Sequence, residues 1–252
     1  MSADAVALDI AFVRMPAADL EGYEAIWTAA DEQPFPPELR RNLATNGIRA
    51  GIFGPQLPSR LWDLMDAKSS AAVDEKADRV ASQVPSGSGK RHLQVRAGRR
   101  SKILASKTYP VLPVLLSEDG QVRGHELQQA QCLWTLRSYP QGDGNVKLDL
   151  TPEIEHGEMK SQWVPSEGSF INQVGKDRLA LDRLRLEARV SPGQWLVLSC
   201  TSEIKGLGEH FFAESSGGAL ERTFVLIRVT QTQLDDLFAP GQTTAALVTP
   251  GD

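Results

Sequence analysis

Five side chains within ten positions, Asp149, Glu153, Glu155, His156 and Glu158, stand in the stretch VKLDLTPEIEHGEMKSQWV at 146–164. They carry the groups from which metal sites and general acid–base pairs are made. Their spacing matches neither HExxH nor a calcium-binding loop, in which the ligands must return to one point in space. Alternation gives another reading. Val146, Leu148 and Leu150 fall on one side of a strand and Lys147, Asp149 and Thr151 on the other. Pro152 interrupts the ladder or marks an edge, Ile154 resumes the inward set, and His156-Gly157 supplies a bend. The acids are therefore expected on the outward face of a sheet, with no catalytic or metal-ligating role.

The other histidines, His92, His125 and His210, are scattered along the chain, and no GxSxG nucleophile elbow is present. Cys132 in QCLW and Cys200 in VLSC lie in apolar surroundings and read as buried thiols. A disulfide between facing strands stays open at this stage, because sequence separation does not fix distance. GLGEHFFAESSGG at 206–218 lacks GxxxxGK and GxGxxG. It reads as a glycine-permitted loop whose Phe211 and Phe212 act as apolar anchors, within the fold or against another subunit.

The strongest electrostatic feature is KRHLQVRAGRRSKILASK at 90–107, with Lys90, Arg91, Arg96, Arg99, Arg100, Lys102 and Lys107 and no acid. It reads as a hairpin turning at RAGRRS. Its cations suit an acidic face of another subunit or an anionic polymer, and Arg96, Arg99 and Arg100 are the preferred contacts. Nucleic acid is the less favoured partner, since the aromatic residues on which single-stranded bases stack are missing. The formal net charge of −5 gives the average surface no nucleic-acid or membrane signature.

These groups must be held by elements that the pattern also indicates. Val6–Val13 reads as a strand and residues 17–30 as a helix with Leu20, Tyr23, Ile26 and Trp27 on one side. PELRRNLATNG reads as a second helix ending at Asn46-Gly47, IRAGIFG as a strand, and LPSRLWDLMDA as a third helix. Residues 1–66 are thus expected to form a small α/β module. Residues 67–89, rich in small and polar types and ending in PSGSG, suggest a linker or flexible loop. From residue 90 to 252 the chain turns to β-branched and aliphatic runs between Gly, Pro and Asp/Asn turns. The expected class is α+β, with the N-terminal module followed by a β-rich, sandwich-like domain. A composition with 41% hydrophobic residues suits a folded chain, and no run reaches the ~20 apolar residues of a membrane helix.

PPELRRNLATNGIRAGIFG, VKLDLTPEIEHGEMKSQWV and SPGQWLVLSC with the later FVLIRVTQTQLDDLFAP together resemble a group of uncharacterised, planctomycete-type bacterial proteins. The strand–PEI–turn arrangement at 146–157, PGQWLVLSC at 192–200 and FVLIRV at 224–229 also resemble the β-rich core of bacterial secretins. After Cys200 the sequence departs from that pattern. The resemblance implies a secretin-related scaffold or an envelope component in the periplasm or cell envelope, assembling with itself or with other envelope subunits, and it supplies no catalytic residues. The expected function is non-enzymatic structure and protein interaction without a cofactor. A hydrolase with a convergent polar site, or a phosphate- or nucleic-acid-binding module, is the alternative.

Overall fold

The structure is a computed structural model and describes residues 5–69, 89–118, 120–166 and 169–233. The chain runs β1 (Ala5–Pro16), α1 (Leu20–Thr28), α2 (Pro37–Thr45), β2 (Ile48–Phe53), α3 (Ser59–Ser69), β3 (Gly89–Arg96), β4 (Ser101–Leu104), β5 (Tyr109–Glu118), β6 (Gln121–Pro140), β7 (Val146–Ser166), β8 (Ser169–Ala180), a 3₁₀ turn (Asp182–Leu184), β9 (Leu186–Val190), β10 (Trp195–Cys200), α4 (Gly206–Phe212), β11 (Ala213–Ser216) and β12 (Ala219–Gln233). The class is α+β and strongly β-rich, as the turn-punctuated apolar runs suggest.

β1 is apolar on both sides. Val6, Leu8, Ile10 and Phe12 enter one core, whereas Ala11, Val13 and Met15 enter another. A strand buried on both faces belongs inside a sheet covered on both faces. β1 accordingly lies between β12 and β3 in an antiparallel sheet of order β2–β10–β12–β1–β3, with β11 folded onto β12. On one face of this first sheet lie α1 and α3, whose Tyr23, Ile26, Trp27, Leu61 and Met65, with Leu57 just before α3, pack against Val13, Met15, Trp195, Val197, Phe224 and Leu226. Asp19 starts α1 by accepting a 2.9 Å hydrogen bond from the Gly22 amide.

The opposite face packs on a second antiparallel sheet of order β4–β6–β7–β8, with β5 on the remaining length of β6 and β9 on that of β7. Trp134, Leu136, Leu148, Leu150, Ile154 and Leu186 fill the space between the sheets. Burial of each such large side chain contributes about 1.5–3 kcal/mol. The sandwich therefore has helices on one outer side and leaves the outer face of the second sheet to solvent.

The hydrogen bonding does not divide at 67–89 as the expected domain boundary would. Both strands of residues 1–66 are shared with the C-terminal part: β1 pairs with β12, and β2 pairs with β10. β1 and β2 do belong to one sheet, but β10 and β12 lie between them, so the apolar faces of the N-terminal segment are closed by strands far along the chain. Residues 70–88 of the expected linker and 234–240 of the FVLIRVTQTQLDDLFAP stretch lie outside the described residues.

A second correction concerns residues 90–107. They do not form a hairpin: β3 pairs with β1 in the first sheet, and β4 pairs with β6 in the second. RAGRRS is the corner between the two layers. Gly98 at φ +70 makes it, donating its N–H to the Ser138 carbonyl at 2.9 Å. Alternation points Val95 and Ile103 into the same core from opposite sheets.

β7 runs unbroken through Pro152, for a local reason. Along one edge β7 pairs with β9 up to Leu150 and with β8 from Glu153 onward. Pro152 falls between these two partners, and its carbonyl accepts from Leu181 N at 3.0 Å on that same edge. Its missing N–H thus faces the junction, where no ladder donor is required.

Candidate interaction surface and the polar cleft of the second sheet

The outward face of β7 presents Lys147, Asp149, Thr151, Glu153 and Glu155, on the side that alternation assigns to them. Yet Asp149 and Glu153 are only 7% and 5% exposed. β7 is interior to its sheet, and long side chains from its neighbours fold across both acids. Arg185 grips Asp149 with two parallel hydrogen bonds, Nε to Oδ1 at 2.7 Å and Nη2 to Oδ2 at 2.5 Å. Arg100 bonds Glu153 through Nη2 and donates from Nε to Thr135 Oγ1 at 3.2 Å. Arg178 lies 3.8 Å from the same Glu153 oxygen. Lys102 pairs with Glu155, and Lys147 with Glu187 at 2.7 Å.

The result is a polar cleft of about 200 Å³, lined by Arg100, Thr135, Arg137, Asp149, Thr151, Glu153, Arg178, Asp182 and Arg185. Acidic and basic groups therefore do meet, instead of standing apart in water as the alternation alone implied. Fork-to-carboxylate pairing of this kind is geometrically specific and charge-assisted. At Asp149 it engages both carboxylate oxygens, and at Glu153 both cations meet Oε2. Arg137 lies directly across from Asp149 in the register. Arg185 already holds both oxygens of that acid, and among the described residues Arg137 has neither an ion-pair nor a hydrogen-bond partner.

The cations of the 90–107 stretch separate into tied and untied groups. Lys102 is paired, Lys107 lies 3.6 Å from Glu214, and Arg91 sits over the Phe12 ring, where burial lowers its pKa. Arg100, expected to contact a partner, is committed to Glu153 and Thr135. Arg96 and Arg99 are exposed at the corner between the sheets and have no ion-pair partner among the described residues. Lys90 is exposed and lies 5.8 Å from the Trp62 ring, and Arg96 and Arg99 remain open to another molecule.

Phe211 and Phe212 are placed differently from the loop expectation. GLGEHFF is helix α4, and both rings are 1% exposed, with centroids 5.6 and 6.1 Å from that of Trp134. They anchor α4 to the sandwich core and are not presented to a partner. Their adjacency in sequence concealed this, since only a helix end wedged between two sheets buries both neighbours.

The histidines do not converge. His92 Nδ1 is 2.9 Å from Asp9, and His210 donates from Nε2 to the Pro113 carbonyl at 3.0 Å beside Tyr109. Among the described residues no group of three His, Cys, Asp or Glu side chains is arranged to hold a metal. Cys132 and Cys200 are free and buried, which resolves the open question of a bridge. Burial pushes the Cys132 thiol up to about 12 and raises that of Cys200. Neither is an activated nucleophile.

Sequence reading missed Arg137, Arg178, Asp182 and Arg185 as cleft residues. Alternation assigns a residue to a face but does not say which strand lies beside it, and Arg185 follows a 3₁₀ turn without periodicity. Among the described residues no helix is long and apolar enough to cross a membrane. No protein-family model matches this chain, and neither a curated protein nor a solved structure matches it at a significant level.

Proposed function

We propose that this chain is a non-enzymatic structural and protein-interaction component, of the envelope-assembly kind that its secretin-like stretches imply, and that it associates through strand edges. One observation carries the reading. β6 and β7 pair from Pro140/Val146 to Gln131/Glu155 and then part. Beyond that point β7 continues from Lys160 to Ser166 with, among the described residues, β8 alone beside it. A two-stranded ribbon alone is marginally stable in water. This one also exposes Met159 and Val174, at 65% and 59%. A further strand or an apolar cover from another subunit would supply the missing stabilisation, and Arg96 and Arg99 would add charge complementarity.

Multi-angle light scattering over a wide concentration range, together with native pull-down, tests the proposal. The expected result is association that is lost when residues 158–176 are replaced by a short turn. A monomer at every concentration that captures no protein would overturn it.

The anion-binding alternative has one observation in its favour, Arg137 at the polar cleft, unpaired among the described residues. It predicts salt-sensitive retention of an oligonucleotide or inorganic phosphate that Arg137→Glu abolishes.

A further inference from the structure

Helix α2 buries Leu43 and lies along the outer side of β2, the edge strand of the first sheet. Between them is a cleft of about 180 Å³, small for a drug-sized ligand and suited to a few heavy atoms. Leu43, Ala44, Ile48 and Ala50 give it an apolar side; Arg40 and Ser202 give it side-chain donors.

Two donors at the cleft lack acceptors. Arg40 Nε is buried without a hydrogen-bond partner, and no ion-pair partner of Arg40 is present among the described residues. The second is backbone. Ile52 exchanges two 2.8 Å hydrogen bonds with Asp31 on the outer side of β2. By the two-residue alternation Ala50 turns its N–H to that same side. Ala50 is 3% exposed, and its amide finds no acceptor there among the described residues. A buried donor left without an acceptor loses its hydration and gains nothing in return.

The surroundings are cationic. Arg49 stacks on Trp27 and is neutralised by Glu32, at 2.6 Å. Behind the cleft Arg222 is fully buried, donating to the carbonyls of Ala17, Thr201 and Ser202 and lying over the Tyr23 ring. No carboxylate pairs with it among the described residues. Arg40 thus gives the pocket a positive charge that Glu32, engaged by Arg49, does not cancel, and Arg222 adds a second cation beyond the Thr201 and Ser202 carbonyls.

We propose that this cleft binds a small carboxylate, held by the Arg40 guanidinium and the Ala50 amide with the Ser202 hydroxyl as a third donor, its short aliphatic remainder resting on Leu43 and Ile48. Glu32 at the margin and the apolar side disfavour a phosphate dianion. The carboxylate is that of a free short-chain acid or the terminal group of a peptide. The site belongs to the first sheet and does not depend on the β7–β8 ribbon, so its test and that of assembly are independent.

Titration of the full chain with butyrate, followed by calorimetry and backbone amide shifts, reads the site. Saturable binding with a dissociation constant on the order of 1 mM is expected for so small a ligand, with the Ala50 amide among the shifted signals. Arg40→Met weakens it about tenfold or more, Arg40→Lys and Ser202→Ala weaken it by a smaller factor, and Arg41→Met on the exposed side of α2 leaves it unchanged. A peptide with a free C-terminal valine that binds more tightly than butyrate, and loses binding when amidated, assigns the site to a protein terminus. Equal or weaker peptide binding assigns it to a free acid. Butyramide binding as well as butyrate, phosphate binding better than butyrate, or no saturation with any probe in the wild-type chain would overturn the proposal. Unchanged binding in folded Arg40→Lys and Ser202→Ala would overturn it too, whether or not Arg40→Met folds.

Discussion

Gly47 and Gly208 meet backbone to backbone: a Cβ on Gly208 would stand 1.8 Å from the Gly47 carbonyl oxygen. Gly47 sits at φ +78 beyond the end of α2, and its carbonyl accepts from Thr201 N at 2.9 Å while Gly208 N donates to the Asn46 carbonyl at 3.0 Å. The approach locks the end of α2 to the start of α4, and backbone atoms cannot yield as a side chain would. Gly208→Ala is expected to destabilise the fold by at least about 2–3 kcal/mol, the range for overpacking without a route of relief. Urea unfolding measures this, and an unchanged midpoint would mean that the two segments are not in contact.

The placement of α4 separates two residue classes that the sequence offers together as contacts. Phe211→Ala removes a ring packed on Trp134 and is expected to cost about 3–5 kcal/mol of folding stability. Arg99→Glu lies on the exposed corner and should shift stability by no more than about 0.5 kcal/mol. The same Arg99→Glu change should weaken self-association or partner capture and flatten its salt dependence. Parallel denaturation and light scattering on both variants decide between these roles.

How far the sequence reaches is visible in the same elements. Asn46-Gly47 is legible as a helix end because a left-handed residue there has a local cause. Val146, Leu148 and Leu150 are legible as inward because period two is local as well, and all three are fully buried. The reason for Gly208 is not local: it lies in a carbonyl contributed from about 160 positions earlier in the chain. The same limit hid the Arg185–Asp149 grip, which depends on β9 returning beside β7, and the shared first sheet, which depends on β12 and β10 inserting between β1 and β2. A run such as KRHLQVRAGRRSKIL has the pattern of two strands and a turn whether its strands pair with each other or enter different sheets. Pairing is chosen by the rest of the core.

Alkaline pH should unfold the protein through buried neutral acids. Burial pushes Tyr23, Tyr109 and Cys132 each up to about 12, from ordinary values of 10.0 for the phenols and 9.0 for the thiol. The Tyr23 hydroxyl also donates to the Cys200 carbonyl at 2.8 Å, which requires its proton. The protonated forms are the neutral ones, so the folded state keeps these protons after the unfolded chain has released them. Their contribution to stability is complete below about pH 9, declines first as the unfolded thiol ionises and then as the phenols do, and is lost by about pH 12. Urea midpoints measured from pH 8 to 12 should fall through this window, and only removal of both raised thiols, Cys132→Ala with Cys200→Ala, should move the onset towards pH 10. Both thiols should resist alkylation at pH 8 until denaturant is added. Rapid native alkylation would contradict their burial.

Arg185 and Asp149 should differ in what each loses without the other. The Asp149 side chain is 9% exposed, whereas that of Arg185 is 47% exposed and also reaches Glu187 at 3.1 Å. Removing the acid frees a guanidinium that water and Glu187 can accommodate. Removing the arginine leaves a covered carboxylate without its cation. After allowance for solvent screening of the half-exposed partner, Arg185→Met is expected to cost about 2 kcal/mol and Asp149→Asn about 1 kcal/mol. The double variant should cost less than the sum, with a coupling of about 1 kcal/mol. Repeating the cycle in 1 M NaCl should preserve most of that coupling, because a bidentate pair beneath the sheet surface is screened less than an exposed pair such as Lys147–Glu187. Strict additivity would show that the fork does not hold the cleft together. A coupling that vanished in salt would place Asp149 in contact with bulk water, contrary to its burial.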